Sequence, residues 1–138
     1  MRARRRAFDL SMIRVVIADD HPEVRLVLRL LLKLSPELDL VGEARNGQEA
    51  LEAVKLLQPD VLVMDVRMPV LDGWKATTKI MGLGVITRVI LISLDRGGYI
   101  AKKSLESGAK GFVPKDEVPT ALLPAIQAIY RGETFFVE

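Results

Sequence analysis

A chain of 138 residues, 49% of them hydrophobic and 28% charged, has room for one domain with one sizeable core and is too apolar to remain disordered. It contains no cysteine, which excludes disulfide staples, thiolate metal sites and thiol catalysis, and no apolar run approaches the roughly 20 residues that span a bilayer. The net charge of +2 and the pI near 9.0 invite a nucleic-acid reading, but the excess is local: residues 1–12 hold four arginines (Arg2, Arg4, Arg5, Arg6) against Asp9, a net of +3, and the remainder holds 16 basic and 17 acidic residues, a net of −1.

That basic segment lacks the apolar stretch of a signal peptide, and Met12 stands immediately before the first apolar run. Residues 1–12 are therefore expected to form a disordered basic tail, an upstream start being one origin for it, and the expected location of the protein is the cytoplasm.

Ile13 to Ala18 is short, mostly β-branched and bounded by a charged pair, the pattern of a buried strand. Pro22 suits the first turn of a helix, and Val24, Val27, Leu28 and Leu31 then recur at i, i+3, i+4 and i+7. Leu38 to Ala44 gives a second strand. Asn46-Gly47 turns the chain into a helix carrying Ala50, Leu51, Val54 and Leu57, which Pro59 ends.

Val61 to Met64 is a third strand, closed by Asp65. A loop with Pro69 and Asp72-Gly73 leads to a helix from about Trp74 to Met81. Val89 to Ile92 is a fourth strand ending at Ser93, and a helix from Gly98 to Ser107 stops at Gly108. Phe112 and Val113 make a short fifth strand before Lys115. Val118, Ala121, Leu122, Ala125, Ile126 and Ile129 mark the last helix, in which Pro124 demands either a late start near Leu123 or a bend.

Five strands alternating with five helices on short loops predict an α/β fold, a doubly wound five-stranded parallel sheet covered on both faces. Ligands of such sheets bind at the carboxyl ends of the strands. Asp19 and Asp20 follow the first strand, Asp65 the third, Ser93 the fourth and Lys115 the fifth, so topology should gather them along one edge. Three carboxylates repel one another unless a cation lies between them, and hard oxygen donors suit Mg²⁺ or Mn²⁺. A lysine opposite could attract an anionic phosphoryl group, a serine could donate to it, and a central aspartate can serve as nucleophile.

The stretches Ile17-Ala18-Asp19-Asp20-His21-Pro22, Met64-Asp65-Val66-Arg67-Met68-Pro69, Asp72-Gly73, Ile92-Ser93 and Gly111-Phe112-Val113-Pro114-Lys115-Asp116 resemble the receiver domain of bacterial response regulators over about residues 13–133. Val41-Gly42-Glu43-Ala44, Asn46-Gly47 and Tyr130-Arg131-Gly132-Glu133 are most similar to the NarL/FixJ (LuxR-type) subgroup. The resemblance implies a flavodoxin-like (βα)5 fold with strand order 2-1-3-4-5, a receiver domain over residues 13–133, and residues 134–138 as the start of a linker or tail.

It also implies roles. Asp65 would accept a phosphoryl group from a histidine kinase or histidine phosphotransfer protein. Asp20, Asp65 and the backbone carbonyl of Arg67 would ligate Mg²⁺ or Mn²⁺, with Asp19 acting through a water. Lys115 would pair with Asp65 and then with the phosphoryl oxygens. Ser93 would be the switch hydroxyl and Phe112 the switch aromatic, turning inward on phosphorylation. Such domains pair as homodimers on phosphorylation and reach DNA through a C-terminal domain that this sequence does not include; a stand-alone regulator acting through protein contacts is the alternative.

Three features depart from the family pattern. Leu94 stands where a small residue is preferred and should narrow access to Asp65. Asp116, not proline, follows Lys115, so a trans peptide is expected there. Phe112 lacks a tyrosine hydroxyl, leaving packing alone to place it. His21, the only histidine, reads as a loop residue, Trp74 as packing, Asp72 as a turn residue, and Lys102 and Lys103 as a solvated helix face. A haloacid-dehalogenase-type phosphatase is disfavoured because Arg67 stands where its acid–base aspartate belongs, and a flavin carrier because the loop Asp19-Asp20-His21-Pro22-Glu23 would repel phosphate. DNA binding by this chain itself lacks a helix-turn-helix.

Overall fold

The computed structural model describes residues 12–137; of the tail expected over residues 1–12, residues 1–11 lie outside them. Six strands and five helices alternate: β1 (Ile13–Ala18), α1 (Pro22–Leu32), β2 (Leu38–Ala44), α2 (Gly47–Leu57), β3 (Val61–Asp65), α3 (Gly73–Met81), β4 (Arg88–Ser93), α4 (Gly98–Glu106), β5 (Gly111–Pro114), α5 (Val118–Tyr130) and β6 (Phe135–Phe136). The strands form one parallel sheet in the order β2-β1-β3-β4-β5-β6.

Side chains alternate across the sheet with the period of two that a pleated strand imposes. Val16, Leu62, Met64, Val89, Leu91 and Phe112 face one layer, where they pack with Ala50 and Val54 of α2, Ala76 and Ile80 of α3 and Ile100 of α4. Val15, Ile17, Val61, Val63, Ile90, Ile92 and Val113 face the other, against Leu28 and Leu32 of α1 and Leu122, Ala125, Ile126 and Ile129 of α5. Being covered on both sides, β3 is buried at every residue, which is why it reads as an unbroken apolar run.

The helix ends follow the sequence signals. Pro22 occupies the first turn of α1, Asn46 caps α2 by accepting from the Glu49 N–H at 2.8 Å, and Asp72 caps α3 by accepting from the Lys75 N–H at 2.8 Å. Asp72 is thus the turn residue the sequence suggested. Pro124 lies within α5, which runs unbroken from Val118; Pro119 sits in its first turn, so the late start near Leu123 is not taken. No cis peptide occurs among the described residues, Lys115–Asp116 included.

The expected five-stranded sheet is corrected to six. Phe135 and Phe136, assigned from sequence to a linker or tail, pair in parallel with Gly111 and Phe112. The Phe135 N–H donates to Lys110 O at 3.0 Å and the Val137 N–H to Phe112 O at 2.9 Å. A strand of two residues has no detectable alternation, and what places it is the open edge of β5. Gly111 permits the approach: a methyl group there would press on Ile129 and on the Phe135 carbonyl.

Candidate functional site

The site lies where the strand order turns back, at the carboxyl ends of β1 and β3. These neighbours pair Ala18 with Met64, which sets the next residues, Asp19 and Asp65, side by side. Asp19 is held from several directions. Its N–H donates to Ala44 O at 3.1 Å, its Oδ1 accepts from the His21 N–H at 2.9 Å, and its side chain is fully buried. Gly73, at the start of α3, donates its N–H to Val66 O at 2.7 Å, and any Cβ there would collide with the Asp65 carbonyl. Gly73 is therefore a packing requirement of the Asp65 strand end.

Lys115 opens a short 3-10 turn after β5. Its ammonium lies 2.8 Å from Asp19 Oδ2 and 3.2 Å from Asp65 Oδ2, with only 9% of the side chain exposed. The partner expected from the sequence was Asp65; the structure gives a bridge in which Asp19 is the nearer carboxylate. Burial and the adjacent Asp19 charge push the Asp65 carboxyl above its ordinary range, against the opposing pull of Lys115 and the Arg67 N–H. Burial alone would lower the Lys115 ammonium, but its bonds to Asp19 and Asp65 outweigh that and hold it above its ordinary value. Both directions describe a pocket with more carboxylates than cations.

Asp20 and His21 complete the cluster. One oxygen each from Asp19, Asp20 and Asp65 and a ring nitrogen of His21 lie within 4.8 Å of one another. His21 Nδ1 is 3.2 Å from Asp19 Oδ1 and 3.3 Å from Asp20 Oδ1, a position that the sequence reading of a plain loop residue did not foresee. Asp20 Oδ1 is shielded from water and accepts no hydrogen bond. A sheltered carboxylate oxygen in an oxygen-rich, net negative cluster fits a hard divalent cation. The Arg67 N–H points at Asp65 Oδ1 from 3.4 Å, which brings the Arg67 backbone to the same cluster.

Two loops border the pocket. In the β3–α3 loop the Leu71 N–H donates to Pro69 O at 2.7 Å, a three-residue turn that puts Val70 at φ 70, a strained value for a β-branched residue. In the β4–α4 loop Ser93 is buried and its Oγ accepts from the Asp95 N–H at 3.0 Å. Ion pairs hold this loop on both sides: Arg67 Nη2 to Asp95 at 2.7 Å, and Arg96 to Asp116 at 2.9 Å and to Glu117. The departure at Asp116 is thereby used. Leu94 is 80% exposed.

Phe112 is fully buried in the α2–α4 layer, one strand away from Ser93. Packing sets its position, as expected for a phenyl ring without a hydroxyl. Trp74 packs, as expected, and in addition its Nε1 donates to Ser104 Oγ at 3.1 Å while the Lys103 ammonium sits 4.3 Å from its ring centroid. Lys103 is thus more than a solvated residue.

A doubly wound parallel α/β protein with an acidic, lysine-bridged pocket at its switch point is the class that fold and site define. The chain belongs to the response regulator receiver domain family, whose profile matches residues 15–127. It is 37% identical to the transcriptional regulatory protein LnrK of Bacillus subtilis over 88% of this chain and 55% of LnrK. It is 43% identical to a protein-glutamate methylesterase/protein-glutamine glutaminase of Carboxydothermus hydrogenoformans over 78% of this chain and 32% of that protein. The structure of the NarL signal receiver domain of Mycobacterium tuberculosis superposes with a TM-score of 0.85 at 38% identity, covering 88% of this chain and 98% of that one. The chain thus spans little more than half of its regulator relative and about a third of the methylesterase. No helix among the described residues is long and apolar enough to cross a membrane.

Proposed function

We propose that this domain is a phosphorylation-dependent signalling switch, with Asp65 as phosphoacceptor and a histidine kinase or histidine phosphotransfer protein as donor. A carboxylate oxygen of Asp65 attacks the phosphorus, the bond to the donor histidine nitrogen breaks, and the phosphoryl group remains on Asp65 as an acyl phosphate. Asp20, Asp65 and the Arg67 carbonyl would hold Mg²⁺ or Mn²⁺, with Asp19 acting through a water. The cation supplies charge neutralisation for the transferring group. Lys115 moves from its two carboxylates to the phosphoryl oxygens, and Ser93 gives up the Asp95 N–H to donate its hydroxyl to them. The domain assists its own phosphorylation and dephosphorylation and is not a metabolic enzyme.

The observation that carries this reading is the lysine bridge: one buried ammonium between two carboxylates from neighbouring strand ends, beside a third carboxylate whose inner oxygen accepts no hydrogen bond. Rearrangement of Ser93 and its loop biases the output surface made by α4, β5 and α5, a shift between two packings. The kinship with LnrK supports control of transcription through a DNA-binding domain elsewhere in a longer protein, and homodimer formation on phosphorylation follows the same reading. The test is acetyl phosphate or beryllofluoride with Mg²⁺, comparing the parent with Asp65→Asn. A mass gain confined to the parent is expected; one that persists in Asp65→Asn removes the assignment.

A further inference from the structure

His21 is the one group of the acidic cluster to which the function above gives no work. It is also the only nitrogen donor there: Lys115 is a cation that can donate hydrogen bonds but cannot ligate a metal while protonated. His21 Nδ1 stands 3.2 Å from Asp19 Oδ1 and 3.3 Å from Asp20 Oδ1, and with an Asp65 oxygen these atoms lie within 4.8 Å of one another. Adjacent ligand atoms on one octahedral ion with bonds of ~2.1 Å are separated by about 3 Å, and opposite ones by about 4.2 Å. The 3.3 Å between His21 Nδ1 and Asp20 Oδ1 suits adjacent ligands, and an Asp65 oxygen lies no more than 4.8 Å from either.

The backbone explains the position. His21 is the residue before Pro22 and caps α1 in an extended conformation; its carbonyl accepts from the Val24 and Arg25 N–H groups, and its side chain caps nothing. The imidazole is thereby turned back onto the two carboxylates that precede it, with about half of it exposed. No other residue within that 4.8 Å cluster offers a ring nitrogen.

We infer that His21 Nδ1 is a direct ligand of the divalent cation, so that this site takes a first-row transition ion, Mn²⁺ being the probe, in preference to Mg²⁺. The inference rests on the cation site proposed above. Its chemistry is general: Mg²⁺ takes oxygen donors and sheds water reluctantly, whereas imidazole nitrogen strengthens binding of transition ions selectively. A histidine that merely hydrogen-bonded the carboxylates would orient them equally for either ion. Selectivity therefore separates a ligand from a positioning group.

The experiment measures Mn²⁺ and Mg²⁺ binding to the full chain, the parent beside His21→Ala and His21→Asn, by Mn²⁺ electron paramagnetic resonance with Mg²⁺ competition. The asparagine variant keeps a hydrogen-bond donor near the carboxylates but removes the ring, and metal-free melting curves check that both variants fold. The expected result is ¹⁴N modulation on the parent-bound Mn²⁺ that both variants lose. With it should come a loss of about tenfold in Mn²⁺ affinity and less than about twofold in Mg²⁺ affinity. Bound Mn²⁺ without nitrogen coupling, or equal losses for the two ions, overturns ligation by His21 and leaves the cation site standing. Failure of the parent to bind either ion, or Mn²⁺ binding that Asp20→Asn leaves unchanged, overturns the site and with it the inference.

Discussion

The floor of the pocket and its rim are held by different forces. The floor is Asp19, Asp65 and Lys115: buried, fixed at strand ends and joined by short charge-assisted contacts. The rim is the β4–α4 loop, in which Ser93 is tied to the Asp95 N–H and the flanking Asp95 and Arg96 pair with partners at the surface. Contacts at the floor act in a low local dielectric, where losing one partner strands a charge; contacts at the rim are screened and individually weak. The difference suits a switch whose chemistry must be in place beforehand while its read-out loop moves.

The comparison breaks most directly at Lys115. Lys115→Ala leaves Asp19 and Asp65 facing each other without their cation, and at neutral pH it should cost about 3–5 kcal/mol by urea unfolding, the range for breaking a buried ion pair. The loss should shrink toward acid as the raised Asp65 carboxyl protonates. A cost below about 1 kcal/mol would mean that the floor is as screened as the rim.

Asp65→Asn should act in the opposite direction on the metal-free protein, raising stability at pH 7 by about 1 kcal/mol or more. The sign follows from the raised Asp65 carboxyl: a folded-state value above the unfolded one favours the protonated form. Its stabilisation is full below the unfolded value and is lost as pH rises through the folded one. The advantage of Asp65→Asn should therefore be small in acid and grow above that range; melting curves of both proteins across pH in a chelator check it.

Ser93→Ala removes a buried acceptor from the Asp95 N–H and should cost about 1 kcal/mol, alongside weaker beryllofluoride binding, since the same hydroxyl serves the switch. The smallest effects belong to Asp95→Ala and Arg96→Ala. Each should move Tm by no more than a degree or two in dilute buffer and not at all in about 0.5 M salt. A large, salt-independent shift from either would place the rim with the floor.

Much of this was legible in the sequence because it is local or periodic. Apolar runs ending at Asp19, Asp65 and Ser93 marked strands and their carboxyl ends together, and the parallel order then dictated which polar residues meet. Asn46 and Pro22 announced helix starts through backbone chemistry that acts within a few residues. The acidic cluster with its lysine followed from topology.

What escaped is what depends on where a side chain turns. His21 read as a loop residue because nothing in its neighbours states that an extended cap before proline folds the ring onto Asp19 and Asp20. That packing alone would place Phe112 was legible, but not that the ring is fully buried between the sheet and α4. Phe135 and Phe136 carry no strand pattern of their own; the unpaired edge of β5 and the missing side chain of Gly111 make them one. The sequence by itself determined the layers and the identity of the converging charges, because periodicity and chain connectivity leave few alternatives; the strand order came with the family resemblance. Only the tertiary structure decided that Lys115 bridges two carboxylates, that His21 joins them and that the sheet gains a sixth strand, because each is set by contacts between segments distant in the chain or by a side-chain rotation that sequence spacing does not encode.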